Sequence, residues 1–393
     1  MVVTHIANRW LESLLGRIEK GTLTLVFPDA RRLRFGGRVP GPRAEINIRR
    51  NRFFRKVMLG GDVGFAEAYM DGDCDCDDLT AIVRLVIENS RHLEGSLYGN
   101  LTIRLLNRIQ HMRRPNTPSG AKRNIAAHYD LGNEFYSAWL DDTMTYSAAV
   151  FERPDMSIDE AQRTKYRRIA DLAAAGPGKR ILEIGCGWGG FAEFVAKERG
   201  AEVTALTISP AQYEFASKRI FNEGLAEKVK IKQTDYREIE GRFDGIASIE
   251  MFEAVGERYW PAFFSTLHER LEPGGRAALQ IITIADAAFG AYRRGTDFIQ
   301  KYVFPGGLLP SIGKLKEQTA VANLTWLASE GIGEHYAHTL AIWHKHFDAA
   351  WPKLAAMDFD ERFRRMWKYY LAYCEAGFAT GRIDVRQIAL ARS

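Results

Sequence analysis

The pattern of apolar and polar positions changes several times between strand-like and helix-like after residue 179. Apolar runs of strand length, separated by segments with helical spacing, occur at 180–184, 203–207, 229–233, 244–249 and 277–283. Strands that alternate with helices predict an α/β domain with a doubly wound, mostly parallel sheet, which binds ligands at the carboxyl ends of its strands. Farther along, two amphipathic stretches predict helical insertions and an apolar run predicts a last strand, at 337–350, 359–378 and 383–391.

The first third of the chain has a different and less regular pattern. Alternation at 22–27 and an apolar run at 44–48 predict two short strands. Helical spacing predicts helices over 9–18, 79–93 and 97–109. A stretch with proline, glycine, serine and basic residues follows, and this composition is typical of a linker. We therefore expect a smaller N-terminal α+β domain, a linker and a larger catalytic domain, with bounds at 1–110, 111–123 and 124–393.

A glycine cluster follows the first strand of the alternating region. The sequence there reads ILEIGCGWGG and continues in a helical pattern. Gly185, Gly187 and Gly189 permit a sharp turn and the close approach of a ligand to the backbone. The motif lacks both the spacing of a dinucleotide fingerprint and the Gly-Lys-Ser/Thr end of a phosphate-binding loop. Because Glu183 precedes the glycines, a cationic ligand without phosphate, such as S-adenosylmethionine, fits the turn. A glycine-rich turn of another α/β protein is the alternative.

Polar residues follow the next two strands, where a nucleoside would lie. Thr207, Ser209 and Gln212 offer hydrogen-bonding groups after the second strand, although Ser209 is also placed to cap the helix that follows. After the third strand, Asp235 and Tyr236 supply a carboxylate and an aromatic wall for an adenine ring. A plain surface turn is the alternative for the last two residues.

The composition is that of an ordinary globular protein, with 46% hydrophobic and 26% charged residues. No apolar stretch approaches the roughly 20 residues that cross a bilayer, and the first residues lack the apolar core of a signal peptide. The four cysteines form no disulfide framework and no paired zinc pattern. We therefore expect a cytoplasmic location. These cysteines are Cys74, Cys76, Cys186 and Cys374.

Positive charge is concentrated toward the N-terminal end. Residues 1–115 carry 19 basic and 13 acidic side chains, whereas the remainder carries 35 basic and 36 acidic ones. The stretch 49–56 places five basic residues around Phe53 and Phe54. One interpretation is a surface that faces anionic lipid or nucleic acid. The other is a solvated basic face whose two aromatic rings point into the core.

Alternating acids at 71–78 resemble a calcium-binding loop. However, Cys76 and Ile82 stand where such a loop needs its tight-turn glycine and its bidentate glutamate. We therefore expect an acidic turn that leads into a helix, and no metal site.

Four longer stretches identify a family. Together with the glycine cluster they resemble, in order and from about His128 to the C-terminus, the cyclopropane-fatty-acyl-phospholipid synthase family, which is related to the mycolic acid cyclopropane synthases. Several long motifs in one order are more specific than any single motif. The stretches are HYDLGNEFY with TMTYS after it, SIEMFEAVG, YVFPGGLLPS, and HYAHTL with the later pair Tyr373 and Cys374.

The resemblance implies a class I methyltransferase fold that transfers a methyl group from S-adenosylmethionine to a cis double bond of a phospholipid acyl chain. It also implies a bicarbonate ion beside the reacting carbons, held by Glu253, Tyr336 and the backbone of Ile282, with Cys374 close by. The expected donor site combines residues matched by position to the family's motifs with further residues of the turns described above. These residues are Tyr146, Ser147, Glu183, Gly185, Cys186, Gly187, Gly189, Thr207, Ser209, Gln212, Asp235 and Tyr236.

The chain departs from the best-known pattern of this family at three positions. Ala148 replaces a cysteine, Ala254 replaces a histidine, and Gln280 replaces a histidine that holds bicarbonate in those members. A glutamine can hydrogen-bond an anion but has no proton to exchange near neutral pH. We therefore expect methyl transfer to be retained. The three departures affect whether the carbocation formed by that transfer closes to a ring.

The expected chemistry explains why these residue types are needed. An alkene is a weak nucleophile, so the sulfonium methyl group must be held in line with its π face in a dry pocket. The resulting carbocation is stabilised by aromatic faces and nearby negative charge, and a base then removes a proton so that a ring can close. If no base takes the methyl proton, a methyl- or methylene-branched chain is the alternative product.

The expected partner is an unsaturated phospholipid reached by peripheral membrane binding at the inner face of the cell membrane, without nucleic acid. We expect the N-terminal domain to serve membrane docking or self-association as a homodimer. Three other hypotheses remain: a methyltransferase acting on a diene precursor, one acting on a small molecule, and a non-catalytic protein that binds lipid or nucleic acid on a methyltransferase scaffold.

Overall fold

The computed structural model describes residues 10–93 and 131–392. The expected linker over 111–123, the expected helix over 97–109 and the first residues of the HYDLGNEFY stretch lie outside these ranges. The chain divides into two compact units, each assembled from separate stretches. The first unit contains 1–113, 291–303 and 343–382, and the second contains 114–290, 304–342 and 383–393. The predicted domain bounds stay a prediction.

A small four-stranded sheet lies in the first unit, in the order β2-β1-β3-β4. Strand β1 pairs antiparallel with β2 and parallel with β3, and β4 pairs antiparallel with the end of β3. The two strands expected in this region are confirmed as β1 and β3, whereas the two edge strands are too short and polar to show in the sequence. The strands are β1 (Lys20–Val26), β2 (Arg32–Gly36), β3 (Val39–Ile48) and β4 (Cys74–Cys76).

The helices of the first unit include a long one that the sequence pattern did not reveal. Helix α1 contains three glycines and bends at Gly61, whose φ of 59° interrupts the helical spacing of its apolar residues. The helix predicted over 79–93 is instead two helices, α2 and α3, and residues 10–15 are helical as expected. A π-helical turn occupies Ile299–Val303. The α-helices are α1 (Arg52–Met70), α2 (Leu79–Glu88), α3 (Ser90–Leu93) and, later in the chain, α12 (Glu361–Ala379).

The break between α2 and α3 lies at the buried Asn89. Its side-chain oxygen accepts from the backbone amides of Glu19 and Lys20, both at 2.9 Å. Its amide nitrogen donates to the carbonyls of Lys20 and Leu85, both at 2.8 Å. All four bonds satisfy a buried polar group, so this one side chain ends the helix and ties it to β1.

The basic stretch and the acidic turn of the sequence pair with each other. The carboxylate of Asp73 is fully buried and accepts from Arg52 and, at 2.7 Å, from the ammonium of Lys56. Arg49 donates to Asp75 at 2.6 Å. The rings of Phe53 and Phe54 are buried, so the second interpretation of this stretch, with its aromatic side chains in the core, is confirmed.

A seven-stranded sheet forms the second unit, in the order β10-β11-β9-β8-β5-β6-β7. Strands β5 to β9 pair in parallel, and β11 is antiparallel to both of its neighbours. The mostly parallel, doubly wound class I methyltransferase sheet is therefore confirmed. Its strands are β5 (Arg180–Ile184), β6 (Glu202–Thr207), β7 (Val229–Gln233), β8 (Phe243–Ile249), β9 (Leu271–Ile284), β10 (Leu324–Gly331) and β11 (Ile383–Arg392).

Helices connect these strands, and serine side chains cap two of them. Ser209 caps α7 with Pro210 as its first residue, and Ser157 forms a reciprocal capping box with Glu160 in α5. The predicted helix over 191–199 is α6 continued by the π-helical turn Val195–Arg199. The helices are α4 (Asn133–Ser137), α5 (Ile158–Leu172), α6 (Gly190–Phe194), α7 (Pro210–Asn222), α8 (Trp260–Arg270) and α10 (Ile312–Val321).

Two further helices, α9 (Asp286–Arg294) and α11 (Gly333–Ala355), each contain residues of both units. Short 3-10 turns follow β7 and β8, at Tyr236–Glu238, Phe252–Ala254 and Glu257–Tyr259. One apolar cluster joins α5, α6 and α7 to the parallel strands, and its members include Ile169, Phe191, Val195, Val203, Ala205 and Ile220. This packing fixes the ends of β5 and β6, where the site lies. Within 10–93 and 131–392, no helix is long and apolar enough to cross a membrane.

We predict that Asp73→Asn destabilises the first unit by about 1–3 kcal/mol. The amide cannot compensate the positive charges of Arg52 and Lys56, and the buried oxygens of Asp73 lose charge-assisted hydrogen bonds. Urea denaturation measures the change. The exposed Asp77 provides a matched control, because Asp77→Asn in the same turn should change the unfolding free energy by less than about 0.5 kcal/mol. Equal effects of both substitutions would contradict the role of Asp73.

Candidate active site

The glycine turn after β5 has the open backbone that the sequence predicts. Gly185, Gly187 and Gly189 all have positive φ, at 84°, 53° and 83°. A Cβ atom on Gly185 would lie 2.6 Å from the Cγ of Met251, so this glycine is needed for packing. A Cβ on Gly187 would meet nothing within 4 Å. The turn therefore packs closely on one side and leaves its middle residue open to a ligand.

The acid before the glycines lies beneath the turn. Glu183 is 2% exposed and accepts a hydrogen bond from the backbone amide of Ala192 in α6. Burial raises the pKa of Glu183 to about 8, while the positive charge of Lys165 opposes the rise. Its Oε2 atom has no hydrogen-bond partner among the described residues. Glu183 therefore anchors the start of α6 from below, and its direct contact with the methyl donor stays a prediction.

The three polar residues after β6 form one connected group. Thr207 donates its hydroxyl to the side chain of Gln212 at 2.9 Å and accepts from the amide of Ser209 at 3.1 Å. Ser209 in turn accepts from the amide of Gln212 at 3.4 Å. All three are 5% exposed. The structure thus brings these predicted donor-site residues together and shows that Ser209 also serves as the helix cap.

The residues after β7 are tied to a neighbouring arginine. Both oxygens of the Asp235 carboxylate accept from the guanidinium of Arg237, at 2.8 Å from Nε and 2.6 Å from Nη2. The ring of Tyr236 packs at a steep angle on Phe263, with centroids 5.4 Å apart. An aromatic wall is therefore present, whereas the carboxylate expected to bind adenine already carries an ion pair.

An aromatic cluster surrounds the predicted donor-site residue Tyr146. The ring of Tyr136 lies 5.4 Å from Tyr146 and 5.0 Å from Trp188, which belongs to the glycine turn. The indole nitrogen of Trp188 donates to Asn133 at 2.8 Å, and Asn133 also donates to the carbonyl of Ala211 at 3.2 Å. The HYDLGNEFY stretch thus contacts the glycine turn and the start of α7, and the TMTYS stretch packs on it through Tyr146. That these residues line the donor site stays a prediction.

A buried lysine that the sequence analysis missed holds Ser147. Lys165 in α5 is completely buried, and its ammonium donates to the hydroxyl of Ser147 at 2.7 Å. Gln162, one turn earlier, donates to the Ser147 carbonyl at 3.0 Å. Burial lowers the pKa of Lys165, and the negative charge of Glu250 opposes that shift. Helical spacing with apolar neighbours suggests that Lys165 faces the core, and this is the signal that could have found it.

The central acid of the site, Glu250, was also missed. It follows β8 directly and has a φ of 49°, a conformation that residues with a Cβ rarely adopt. Its Oε1 atom accepts from the backbone amide of Ala148 at 2.8 Å and from the side-chain nitrogen of Gln280 at 2.7 Å. Its carboxylate also accepts from the hydroxyl of Tyr336. Burial raises the pKa of Glu250, and these donors oppose the rise.

Gln280 uses its whole side chain within this group. It is completely buried on β9, and its nitrogen also donates to the carbonyl of Ala148 at 3.3 Å. Its oxygen accepts from Gln387 of β11 at 2.9 Å. The prediction that Gln280 lies at the site is therefore supported by its contacts with Ala148 and Glu250, although it points to a protein carboxylate.

The second acid of the motif is Glu253. One of its oxygens accepts from the backbone amide of Ile282, while its Oε2 atom is buried and has no hydrogen-bond partner among the described residues. Burial and the neighbouring charge of Glu250 raise the pKa of Glu253 to about 8. The negative charge of Glu250 therefore disfavours ionisation of Glu253.

Neither predicted cysteine takes part in the hydrogen bonds given above. Cys374 lies on α12 in the first unit, where burial raises the pKa of its thiol, so its place in the site stays a prediction. Cys186 lies within the glycine turn, but its side chain belongs to the apolar cluster of the second unit. Only the backbone of Cys186 is therefore available to a ligand. No group of side chains able to hold a metal ion occurs in the described stretches.

The sequence matches the family model described as mycolic acid cyclopropane synthetase over residues 117–388. It is 37% identical to tuberculostearic acid methyltransferase UfaA1 of Mycobacterium tuberculosis, over 98% of this chain and 91% of that one. It is 34% identical to the cyclopropane-fatty-acyl-phospholipid synthase of Escherichia coli K12, over 89% of this chain and 88% of that one. The structure resembles mycolic acid cyclopropane synthase CmaA1 complexed with SAH and CTAB, with a TM-score of 0.65 and 30% identity over 69% of this chain and 98% of that chain.

We predict that Gly187→Ala weakens the binding of S-adenosylhomocysteine at least 10-fold, because the added methyl group would project into the open side of the turn. Isothermal titration calorimetry measures the dissociation constant. Gly224→Ala is the matched control, since Gly224 also has a positive φ of 67° and open space around a Cβ. Both substitutions impose a similar backbone cost. Equal affinities of the two variants would contradict a donor site at Gly187.

We also predict that Glu183→Gln reduces the loss of stability at alkaline pH. A carboxyl whose pKa rises to about 8 on folding stabilises the protein below its unfolded pKa, and that contribution disappears as the pH rises through 8. Between pH 6 and pH 9 the wild type should therefore lose at least about 1 kcal/mol more than the variant.

Thermal and urea unfolding at both pH values measure this difference. Glu253 titrates in the same direction, so some pH dependence remains in the Glu183→Gln variant. The exposed Glu240 serves as the control, and Glu240→Gln should leave the wild-type profile unchanged. Parallel profiles for wild type and Glu183→Gln would show that Glu183 is ionised in the folded protein at neutral pH.

Proposed function

Because this chain belongs to the mycolic acid cyclopropane synthetase family of S-adenosylmethionine-dependent methyltransferases, we propose that it methylates the double bond of an unsaturated phospholipid acyl chain and forms a cyclopropane fatty acid. Family membership, the methyl donor and the enzyme class confirm what the motifs predict. The substrate and the product are the proposal.

The observation that carries the proposal is the pair of partly buried carboxyl groups beside the glycine turn. Glu250 and Glu253 lie just past the carboxyl end of β8, and Met251 between them packs on Gly185. Ligands of doubly wound sheets bind at this edge. Negative charge placed here, next to the methyl donor, suits a reaction that creates positive charge on a hydrocarbon chain.

The residues of the second unit account for each step. The open middle of the turn at Gly187 admits the donor, and attack by the alkene π electrons forms a carbon–carbon bond as the sulfonium carbon–sulfur bond breaks. The aromatic rings around Tyr146 and the charge of Glu250 stabilise the carbocation. Loss of a proton from the new methyl group then allows its carbon to close the ring.

The bicarbonate ion implied by the family resemblance does not fit the donors present. Of the groups expected to hold it, Gln280 and Tyr336 donate to Glu250, and the Ile282 amide donates to Glu253. The amide of Ala148 also donates to Glu250. We therefore derive no step through bicarbonate.

A methyl- or methylene-branched acyl chain is the second candidate product. The similarity to tuberculostearic acid methyltransferase UfaA1 extends over 98% of this chain, and Gln280 stands where the ring-forming pattern has a histidine. If a hydride shift precedes proton loss, the same transfer yields a methylene group or a methyl-branched alkene. The reaction then differs from ring formation in the hydride shift and, for the methyl-branched alkene, also in which proton leaves.

We also propose that the protein associates peripherally with a membrane, since a phospholipid substrate has to be reached at the surface of its bilayer. The basic stretch at 49–56 offers less free positive charge to a membrane than its composition indicates. Arg49, Arg52 and Lys56 are already paired with the acidic turn. Of its five cations, Arg55 is exposed and solvated. Self-association stays a prediction.

Vesicles of cis-monounsaturated phospholipid, incubated with enzyme and methyl-deuterated S-adenosylmethionine, test the proposal. We expect a saturated ring that retains two deuterium atoms, identified by mass spectrometry and by the high-field cyclopropane protons in NMR spectra. A methylene chain with two deuterium atoms, or a methyl-branched alkene with three, would establish the second product. Absence of label in any lipid would contradict both.

Glu253→Gln should lower the rate of lipid methylation by about 100-fold or more, because the amide keeps the Ile282 contact but removes one of the two carboxyl groups beside the developing positive charge. Binding of S-adenosylhomocysteine should persist, which shows that the variant is folded. The surface variant Glu240→Gln should retain the wild-type rate.

A further inference from the structure

The carboxylate of Glu250 is held by three donors that come from distant parts of the second unit. The amide of Ala148 follows the TMTYS stretch, Gln280 lies on β9, and Tyr336 lies on α11. Each donates to the carboxylate, and Gln280 is itself fixed by Gln387. A carboxylate that accepts several hydrogen bonds in a buried site is held rigidly in position.

The backbone at this position is strained in order to place the side chain. Glu250 has a φ of 49°, which residues with a Cβ adopt infrequently and glycine adopts readily. Its amide donates to the carbonyl of Gln280 at 2.8 Å, so the strained residue is fixed from the backbone as well. Strain that persists in a buried loop indicates that the side chain itself is needed.

A buried cation balances the charge of this acid. The ammonium of Lys165 lies within electrostatic range of Glu250 and is bonded to Ser147, the residue next to Ala148. The site therefore contains one buried lysine and two acids. Glu250 accepts from three donors, whereas Glu253 accepts from the Ile282 amide and its Oε2 atom has no partner among the described residues. Because hydrogen bonds favour the charged form of a carboxyl group, negative charge is concentrated on Glu250.

We propose that Glu250 is a built-in replacement for the bicarbonate ion of the family, and that its carboxylate is the proton acceptor of the reaction. It occupies the donors that such an anion would need, so the enzyme works without bicarbonate. This inference rests on the proposed methylation of an acyl chain.

The step balances without any further reactant. Methyl transfer leaves a carbocation on the acyl chain and converts the sulfonium to a neutral thioether. The Glu250 carboxylate then accepts one proton from the new methyl group, and the electrons of that carbon–hydrogen bond form the third side of the ring. Glu250 leaves this step as a neutral carboxylic acid and returns its proton to solvent before the next turnover.

Direct binding of the ion gives a test that does not depend on turnover. ¹³C-labelled bicarbonate should show no saturable binding to the wild type by NMR line broadening. Glu250→Gly should bind it, because this substitution removes the competing carboxylate and leaves the donors of Ala148, Gln280 and Tyr336 in place. Glycine also suits the backbone at φ 49°, so we expect the variant to fold at least as well as the wild type.

Activity in carbon-dioxide-free buffer gives the second test. The wild-type rate should change by less than 2-fold when bicarbonate is added. Glu250→Gly should lose at least 100-fold in rate and regain at least 10-fold with added bicarbonate or formate. Glu250→Gln should lose as much and regain nothing, since its amide fills the space. Glu240→Gly on the surface should behave as the wild type.

Three results would overturn the proposal: saturable bicarbonate binding to the wild type, a bicarbonate-dependent wild-type rate, or a Glu250→Gly variant that no anion restores although it binds S-adenosylhomocysteine. Failure of the proposed function is a separate outcome. If the wild type transfers no label to lipid, the function fails, while the binding measurement still reports whether Glu250 excludes the ion.

Discussion

The second unit depends on the cost of burying charge. Glu183, Glu250 and Lys165 are all removed from water, and an isolated charge in such surroundings would be unstable. Each is therefore given partners: an amide of α6 for Glu183, three donors for Glu250, and a hydroxyl for Lys165. Because these partners lie on β9, α6 and α11 and in the loop at 147–148, the electrostatic requirement of the site also positions the elements around it.

The donor turn and the acid-bearing loop form one packed piece. Met251 fills the space beside Gly185, so any shift of the loop after β8 would alter the turn after β5. The two strands are adjacent and parallel in the sheet, with Glu183 opposite Ala247. Backbone packing thus fixes the distance between the turn proposed to bind the methyl donor and the two acids, which suits the proposed reaction because both must act on the same pair of carbons.

The sequence predicted those features that local patterns determine. The parallel strands were visible because a strand buried on both faces is a continuous apolar run, and the glycine turn because its function requires residues without side chains. Strand β10 was not predicted, because it lies at the edge of the sheet and is mostly exposed, so its residues show no apolar run. Helix α1 was not predicted because three glycines and a bend at Gly61 interrupt its pattern.

The site was predicted in part for a related reason. Glu253 and Gln280 could be located from motifs, but the importance of Glu250 and Lys165 depends on contacts between residues 148, 165, 250 and 336, which no local pattern contains. The left-handed backbone of Glu250 is likewise invisible in the sequence, because glutamate gives no local sign of it. The departures at Ala148 and Gln280 were recognised individually, and only the structure shows that both contact a single carboxylate.

This arrangement bears on which product forms. The carbocation persists until a proton leaves, and a hydride shift competes with that loss. A carboxylate already fixed by three donors needs no reorganisation when the cation appears, so proton removal from the incoming methyl group is fast. Burial also raises the pKa of Glu250, which makes it a stronger base than a solvated carboxylate. A rigid, basic proton acceptor therefore favours ring closure over a hydride shift. The positive charge of Lys165 lowers the pKa of Glu250 and so weakens this preference.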